Sequence, residues 1–322
     1  MDEAHGLSGS GLRRRLLAAE NNGMTPEELA AAWFCQRVEA RLPGLAALAD
    51  APDLLPRVRG ALGARLKESA SAQAVAGEPC PWRPACALDV FFGSRPRVKA
   101  GRHMVELPAP WVLTADAAED GALIIGLHVF GFACDWVQVL MEALAAALAR
   151  RIRWAQVREG FAPPGRARVE DMRLLTLGTP VPEWQRGEAP EAVIIAMLTG
   201  LDAQTADVLE RPESFFSRLA VRINGLARWH DCTLRTDWAG LAEAWRGLEY
   251  SFPHAGQLRL QRRRSSRQGR GYPAEGRQVM MRVAGPGVAA LLPFLAMGET
   301  AHAGRKAALG MGRFAWEVDE GW

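Results

Sequence analysis

The chain has 322 residues, 49% of them hydrophobic and 23% charged, which sets it among globular proteins rather than disordered ones, with room for two domains. A net charge of +3 is too small to indicate a nucleic-acid partner by itself, although the arginines cluster locally while the acids are scattered. Five cysteines without regular spacing argue against a disulfide framework, and the polar, then basic, opening residues do not follow a signal-peptide pattern, so a cytoplasmic protein is expected.

In chain order, RLLAAENNGMTPEELAAAWF (15–34) suggests two helices about an Asn-Gly turn. Thr25, Pro26 and Glu28 form a capping-box start for the second helix, which would run through Phe34. Such a pair is one way to build a DNA-reading helix-turn-helix, and residues 10–34 carry that reading. FCQRVEARL (34–42) alternates at its end and reads as a strand, and LLPRVRGALGARLKES (54–69) as a helix. RHMVELPAPWVL (102–113) and ALIIGLHVFG (122–131) read as two strands. DWVQVLMEALAAALAR (135–150) is a helix with Trp136, Leu140, Met141, Leu144 and Leu148 on one side. The apolar run 121–149 resembles a membrane span in composition, but His128, Asp135 and Glu142 interrupt it and its period changes midway. A strand followed by an amphipathic helix fits better, and no membrane partner is expected.

The second half is clearer. VIIAML (193–198) suits a buried strand, and PESFFSRLAVRINGLARWH (212–230) a helix with Phe216, Leu219, Ile223 and Leu226 inward and Arg218 and Arg222 on the opposite face. TDWAGLAEAWRGL (236–248) places Trp238, Leu241, Trp245 and Leu248 on one stripe. QLRLQRRR (257–264) and RQVMMRVAG (277–285) read as strands, GVAALLPFLAMGE (287–299) as a helix with Pro293 near its first turn, and ALGMGRFAWEV (308–318) as a closing strand. The order β-α-(α)-β-β-α-β is the split βαβ arrangement of a ferredoxin-like domain, whose open sheet face is a common platform for single-stranded RNA. The first half repeats the theme more loosely. The expected fold class is therefore α+β: two tandem ferredoxin-like (RRM-like) domains with an N-terminal helical extension, divided at 1–32, 33–160 and 161–322.

QRRRSSRQGRGY (261–272) is the densest charge feature, with Arg262, Arg263, Arg264, Arg267 and Arg270. It is either a solvated hairpin loop or a phosphate-contacting strand and loop, because guanidinium forks match phosphate oxygens in two-point geometry. Ser266 and Gln268 can add neutral hydrogen bonds, and Tyr272 can stack on a base. AHAGRKAALGMGRF (301–314) holds Gly304, Gly310 and Gly312 among Arg305, Lys306 and Arg313, downstream of His302. It lacks the spacing of a nucleotide-binding P-loop, yet glycine-rich backbone can approach phosphate closely. Cys80 and Cys86 have no second close pair, so a zinc site would need Cys35 or His103; no metal or cofactor is expected.

GETAHAGRKAALGMGRF (298–314), with RRSSRQ about thirty residues upstream, resembles the C-terminal pattern of the CRISPR repeat-RNA-processing endoribonucleases. Members carry a helix followed by G-E-x-x-H-x-G-K-x-x-x-x-G-x-G-R/K, and an R-x-S-x-R-Q segment before it. LPRVRGALGARL (55–66), CPWRPAC (80–86), DVFFG (89–93) and LHVFGFACDW (127–136) are similar to the family's first-half segments. The resemblance spans roughly residues 50–318 and is strongest at the C-terminus.

That resemblance implies paired ferredoxin-like domains and metal-independent cleavage of precursor CRISPR RNA. The 2′-hydroxyl beside the scissile phosphate attacks it, leaving a 2′,3′-cyclic phosphate and a 5′-hydroxyl, and the enzyme often stays on the guide RNA among other effector subunits. The chemistry needs a base, an acid and cations around the transition state. Many members supply a histidine near the first helix of the first domain, but residues 50–70 here hold none, only Arg57, Arg59, Arg65 and Lys67. His302 matches the family's C-terminal histidine, as proton carrier or as shaper of the loop, and His103, amid Lys99 and Arg102, is a second candidate. Arginines such as Arg59 can instead stabilise the transition state. His128 reads as a core histidine and His230 as a helix-terminus residue. The implied RNA contacts are Arg263, Arg264, Ser266, Arg267, Gln268, Arg270, Gly304, Arg305, Lys306, Gly310, Gly312 and Arg313. A non-catalytic guide-RNA-binding subunit remains the alternative, as does, from residues 10–34, a DNA-binding regulator.

Overall fold

Alternating and helical apolar periods dictate the main elements of the computed structural model, which describes residues 6–100, 103–157, 168–178, 189–200, 208–264, 271–304 and 306–320. They are α1 (Gly9–Ala18), α2 (Pro26–Ala32), β1 (Phe34–Leu42), α3 (Leu54–Lys67), β2 (Trp111–Ala117), β3 (Leu123–Phe130), α4 (Val137–Arg150) and β4 (Asp171–Gly178). There follow β5 (Ala192–Met197), α5 (Glu213–Ala227), α6 (Trp238–Arg246), β6 (Glu249–Arg264), β7 (Gly271–Ala284), α7 (Leu292–Ala301) and β8 (Phe314–Val318). The chain forms two compact units. One takes the chain up to Asn21 with Cys35–Leu177 and Arg228–Asp231; the other takes Asn22–Phe34, Gly178–Ala227 and Cys232–Trp322.

In the first unit the four strands lie in the order β2-β3-β1-β4, with β3 antiparallel to both β2 and β1. With α3 between β1 and β2 and α4 between β3 and β4, this is the ferredoxin-like topology. Val38, Ala40 and Leu42 of β1 and Ile125, Leu127 and Val129 of β3 are buried on the period-two rows. Val58, Leu62 and Leu66 of α3 and Leu140, Leu144 and Leu148 of α4 are buried at helical spacing. Each such side chain stabilises the fold by about 2 kcal/mol when fully buried. The run 121–149 thus divides into β3, a 3-10 turn over Gly131–Trp136 and α4. Gly131–Arg150 is long and apolar enough to cross a membrane by composition, but half of it is buried inside the protein and α4 packs on α3.

The stretch 102–113 is not one strand. Pro108 and Pro110 lack ladder N–H groups, so pairing stops there. His103–Glu106 instead forms a hairpin with Arg97–Ala100, and β2 starts at Trp111.

Two helices do flank the Asn-Gly turn, Gly9–Ala18 and Pro26–Ala32, though the second ends before Phe34. Residues 23–24 run as a parallel bridge beside Thr233–Leu234, and the second helix stops at Ala32, where Trp33 turns extended. Its capping box is present: Thr25 N–H donates to Glu28 Oε2 at 2.8 Å and Glu28 N–H to Thr25 Oγ1 at 3.2 Å. Two of the three arginines of α1 are paired inside the first unit, while Arg14 is exposed. Arg13 forks onto Asp89, and Arg15 forks onto Asp231 at 2.6 Å while lying 4.2 Å over the Phe132 ring. Arg228 Nη1 donates to Leu16 O at 3.0 Å, neutralising the carbonyl end of α1.

The second unit repeats the topology, with strand order β6-β7-β5-β8 and every pairing antiparallel. Its core is aromatic. Phe215 of α5 meets Phe314 of β8 edge-on at 5.4 Å, and Trp245 of α6 meets Phe294 of α7 edge-on at 5.7 Å. The stripe expected on α6 is only half buried: Trp245 and Leu248 are inside, whereas Trp238 is 40% exposed, because the first turn of this nine-residue helix lies clear of the core. α2 packs on α7, with Trp33 Nε1 donating to Thr300 Oγ1 at 3.1 Å. Pro293 sits in the first turn of α7, as its missing N–H allows. The closing strand starts at Phe314, and Ala307–Leu309 before it is a 3-10 turn.

Candidate functional site

The C-terminal loop of the second unit begins where α7 runs out of carbonyl partners. His302 N–H donates to Gly298 O at 2.7 Å, and Arg222 Nε donates to Ala301 O at 2.7 Å. Arg222 is therefore buried at the end of α7 and cannot extend a basic surface beside the half-buried Arg218; its aliphatic stem fills the core side of α5. His302 adopts φ 61° and ψ 165°, a conformation costly for a residue with a Cβ, and its side chain is fully buried. As placed, that imidazole offers no surface to a substrate.

Gly304, at φ +84°, turns the chain outward, and it and Lys306 are half-buried. Arg305 lies outside the described residues. The chain then returns inward. Gly310, Met311 and Gly312 are buried, with both glycines at positive φ. Gly310 N–H donates to Ala307 O at 2.8 Å and Gly312 N–H to Gly200 O at 3.1 Å. These two amides are spent inside the protein and do not face outward as expected. A Cβ on Gly312 would stand 1.9 Å from Ala303 O, so the close approach of the two loop arms requires glycine. Ala303 N–H closes the arms by donating to Gly312 O at 2.8 Å.

Thr199, just after β5, braces the loop from outside it. Its hydroxyl donates to Gly310 O at 2.8 Å and accepts from Arg313 N–H at 2.9 Å. No periodicity marks this residue, since a hydroxyl bridging two backbone groups far along the chain leaves no local signal. Arg313 is half-buried like Gly304 and Lys306.

The arginine-rich hairpin is described only in part. Arg263 and Arg264 lie on β6 opposite Tyr272 and Gly271 of β7, while Ser266, Arg267, Gln268 and Arg270 lie outside the described residues. The outward rows of the same sheet hold Ile194, Ala196, Met280, Arg282, Ala315 and Glu317. They include no aromatic ring, so this part of the face is not a base-stacking platform.

In the first unit, Arg59 of α3 is half-buried, its guanidinium 5.1 Å over Phe92 and 5.8 Å from the Trp111 ring. Such stacking holds a guanidinium plane in a fixed orientation. His103 opens its hairpin strand opposite Ala100. His128 is buried in β3 between Arg37 and Val112, the core position expected of it. The outward arginines of β1 are paired: Arg37 with Glu39 at 2.9 Å and Asp116 at 3.5 Å, and Arg41 with Glu170 at 3.2 Å and Asp120. Asp89, which opens the DVFFG segment, is buried and accepts from Arg13 at 2.9 Å and from Cys80 N–H at 2.8 Å. Cys86 N–H donates to Cys80 Sγ at 3.2 Å, which closes the cysteine loop without a metal ligand set among the described residues.

A family model described as the AF_1859_N N-terminal domain matches residues 56–171. No curated protein matches the chain. Among solved structures, a Cas6 product complex is similar over 88% of this chain and 99% of its own, at 14% identity and a TM-score of 0.50. Thermus thermophilus Cas6 is similar over 89% of this chain and 100% of its own, at 15% identity and a TM-score of 0.49. At 14% identity the likeness to the Cas6 product complex speaks to the fold alone, and it agrees with the two ferredoxin-like strand orders of this α+β chain.

Proposed function

We propose that this chain is a CRISPR repeat-RNA endoribonuclease that cleaves precursor CRISPR RNA and stays on the product. The observation that carries this reading is the C-terminal motif in its structural setting. G-E-x-x-H, the glycine arms and Arg313 lie together on the closing helix–loop–strand of a second ferredoxin-like unit, held by Thr199 and Arg222.

Cleavage proceeds by attack of the 2′-hydroxyl on the neighbouring phosphate, giving a 2′,3′-cyclic phosphate and a 5′-hydroxyl without a metal. The oriented Arg59 guanidinium stabilises the charge that develops on phosphate, and His103 carries the proton. His302, enclosed beneath the loop, is a positioning residue rather than a proton carrier. Lys306 and Arg313 with the Arg263–Arg270 hairpin hold the RNA backbone. Repeat RNA incubated with the protein in chelator should yield a cyclic-phosphate product. Replacing Arg263, Arg264 and Arg267 by Ala should weaken binding and flatten its salt dependence, by about 0.7 in slope for each single-strand phosphate no longer neutralised. Unchanged affinity in that titration would remove the hairpin from the interface.

The enclosed His302 and the absence of histidine from 50–70 favour a second reading, a non-catalytic subunit that caps guide RNA. Tight repeat binding with no product in the same incubation selects it.

A further inference from the structure

We propose that Trp82 and Arg83, on the exposed Pro81–Pro84 segment of the first unit, grip one unpaired nucleotide of bound RNA. The indole stacks on the base and the guanidinium meets the adjoining phosphate. This deepens the reading of the chain as an RNA-binding protein and rests on it.

Trp33, Trp111, Trp136, Trp154, Trp229 and Trp245 are buried, as rings of this size ordinarily are, whereas Trp82 is 49% exposed. Its exposure is built in, because both ends of the segment are clamped. Cys80 N–H donates to buried Asp89 at 2.8 Å, and Cys80 O accepts from Gly9 N–H at 2.7 Å. At the other end Ala85 N–H donates to Leu7 O at 2.9 Å, and Ala85 O accepts from Trp136 Nε1 at 2.7 Å. Cys86 N–H donates to Cys80 Sγ and ties the two ends to each other. Pro81 and Pro84 fix two further backbone angles. The ring is thus presented with little ordering entropy left to lose on binding.

The chemistry of the segment selects the partner. Its exposed apolar neighbours along the chain, Val75, Ala76, Pro79, Pro81 and Pro84, are interrupted by Gly77, Glu78 and Arg83 rather than running as one apolar stretch. A lone ring beside a cation suits a base followed by its phosphate. Arg83 makes no ion pair among the described residues. The segment also adjoins the candidate site. Helix Ala87–Phe92 starts directly after Cys86, and its last residue, Phe92, carries the Arg59 guanidinium. Six helical residues span roughly 9 Å, so only one short helix separates the segment from the ring that carries Arg59 along the chain.

The test is a fluorescence-anisotropy titration of the full chain with its repeat RNA. Trp82→Ala should weaken binding about tenfold with its salt slope unchanged, and Trp82→Phe should restore most of the affinity. Arg83→Ala should lower the slope by about 0.7. Because Trp82 is on the surface, the thermal midpoint of Trp82→Ala should equal that of the wild type. If Trp82→Ala binds within about twofold of the wild type, as the spread of neutral surface changes allows, the proposal is overturned while the RNA-binding reading stands, and Trp82 becomes a protein contact. If the wild type binds no repeat RNA, both fall together.

Discussion

Arg222 reaches from the middle of α5 to the last turn of α7, where its Nε donates to Ala301 O at 2.7 Å. The bond ties a buried cation to the carbonyl end of a helix, the place where the helix dipole favours positive charge. It fixes the point from which His302 and the glycine arms depart.

Replacing Arg222 by Met keeps most of the stem and removes the donor. We expect a loss of about 2 kcal/mol in denaturant unfolding, the usual worth of a buried hydrogen bond to a charged group. A variant as stable as the wild type would show that Ala301 O finds another donor at no cost.

Thr199→Val removes the hydroxyl that bridges Gly310 O and Arg313 N–H, leaving two backbone groups unsatisfied. The expected cost is about 1–3 kcal/mol, and repeat-RNA affinity should fall with it because Arg313 is released. Thr199→Ser should behave as the wild type in both measurements.

Gly312 and Gly304 separate two causes of glycine preference. Gly304→Ala meets nothing within 4 Å and carries only the left-handed backbone cost, about 1 kcal/mol. At Gly312 the same change drives a Cβ into Ala303 O and should open the loop arms, costing more than about 3 kcal/mol. Equal unfolding midpoints for the two variants would contradict the close approach.

Glu299 supplies a pH dependence. Burial raises its carboxyl above the ordinary 4.5, opposed by the Trp316 N–H that favours the ionised form. The unfolded chain therefore releases this proton first. The associated stability is complete below the unfolded value and is lost as pH rises through the raised folded value. Glu299→Gln should escape that loss, so its advantage over the wild type in denaturant midpoint should grow as pH rises above the unfolded carboxyl value. An advantage that does not change with pH would assign the raised value elsewhere.

Period and punctuation make most of the fold legible in the sequence. The alternation at the end of β1, the apolar run of β5, the helical stripes of α4 and α5, the Thr25–Glu28 capping box and Pro293 at the head of α7 are local signals, since each depends on residues within a turn or two. The resemblance of the C-terminal motif likewise rests on residue types and spacing alone.

Tertiary structure decided what those side chains face. Arg222 is expected on the polar face of its helix, but its spacing from Phe215, Leu219 and Leu226 puts it on the buried side, where the end of α7 takes its guanidinium. His302 stands among cations in the sequence, yet its backbone turns it inward, and Gly310 and Gly312 spend their amides on Ala307 and Gly200. Thr199 and Asp89 gained their roles only when segments distant in the chain met. The physical reason is the same throughout: periodicity reports on which side of an element is apolar, whereas a polar atom's partner is set by which other element closes over it.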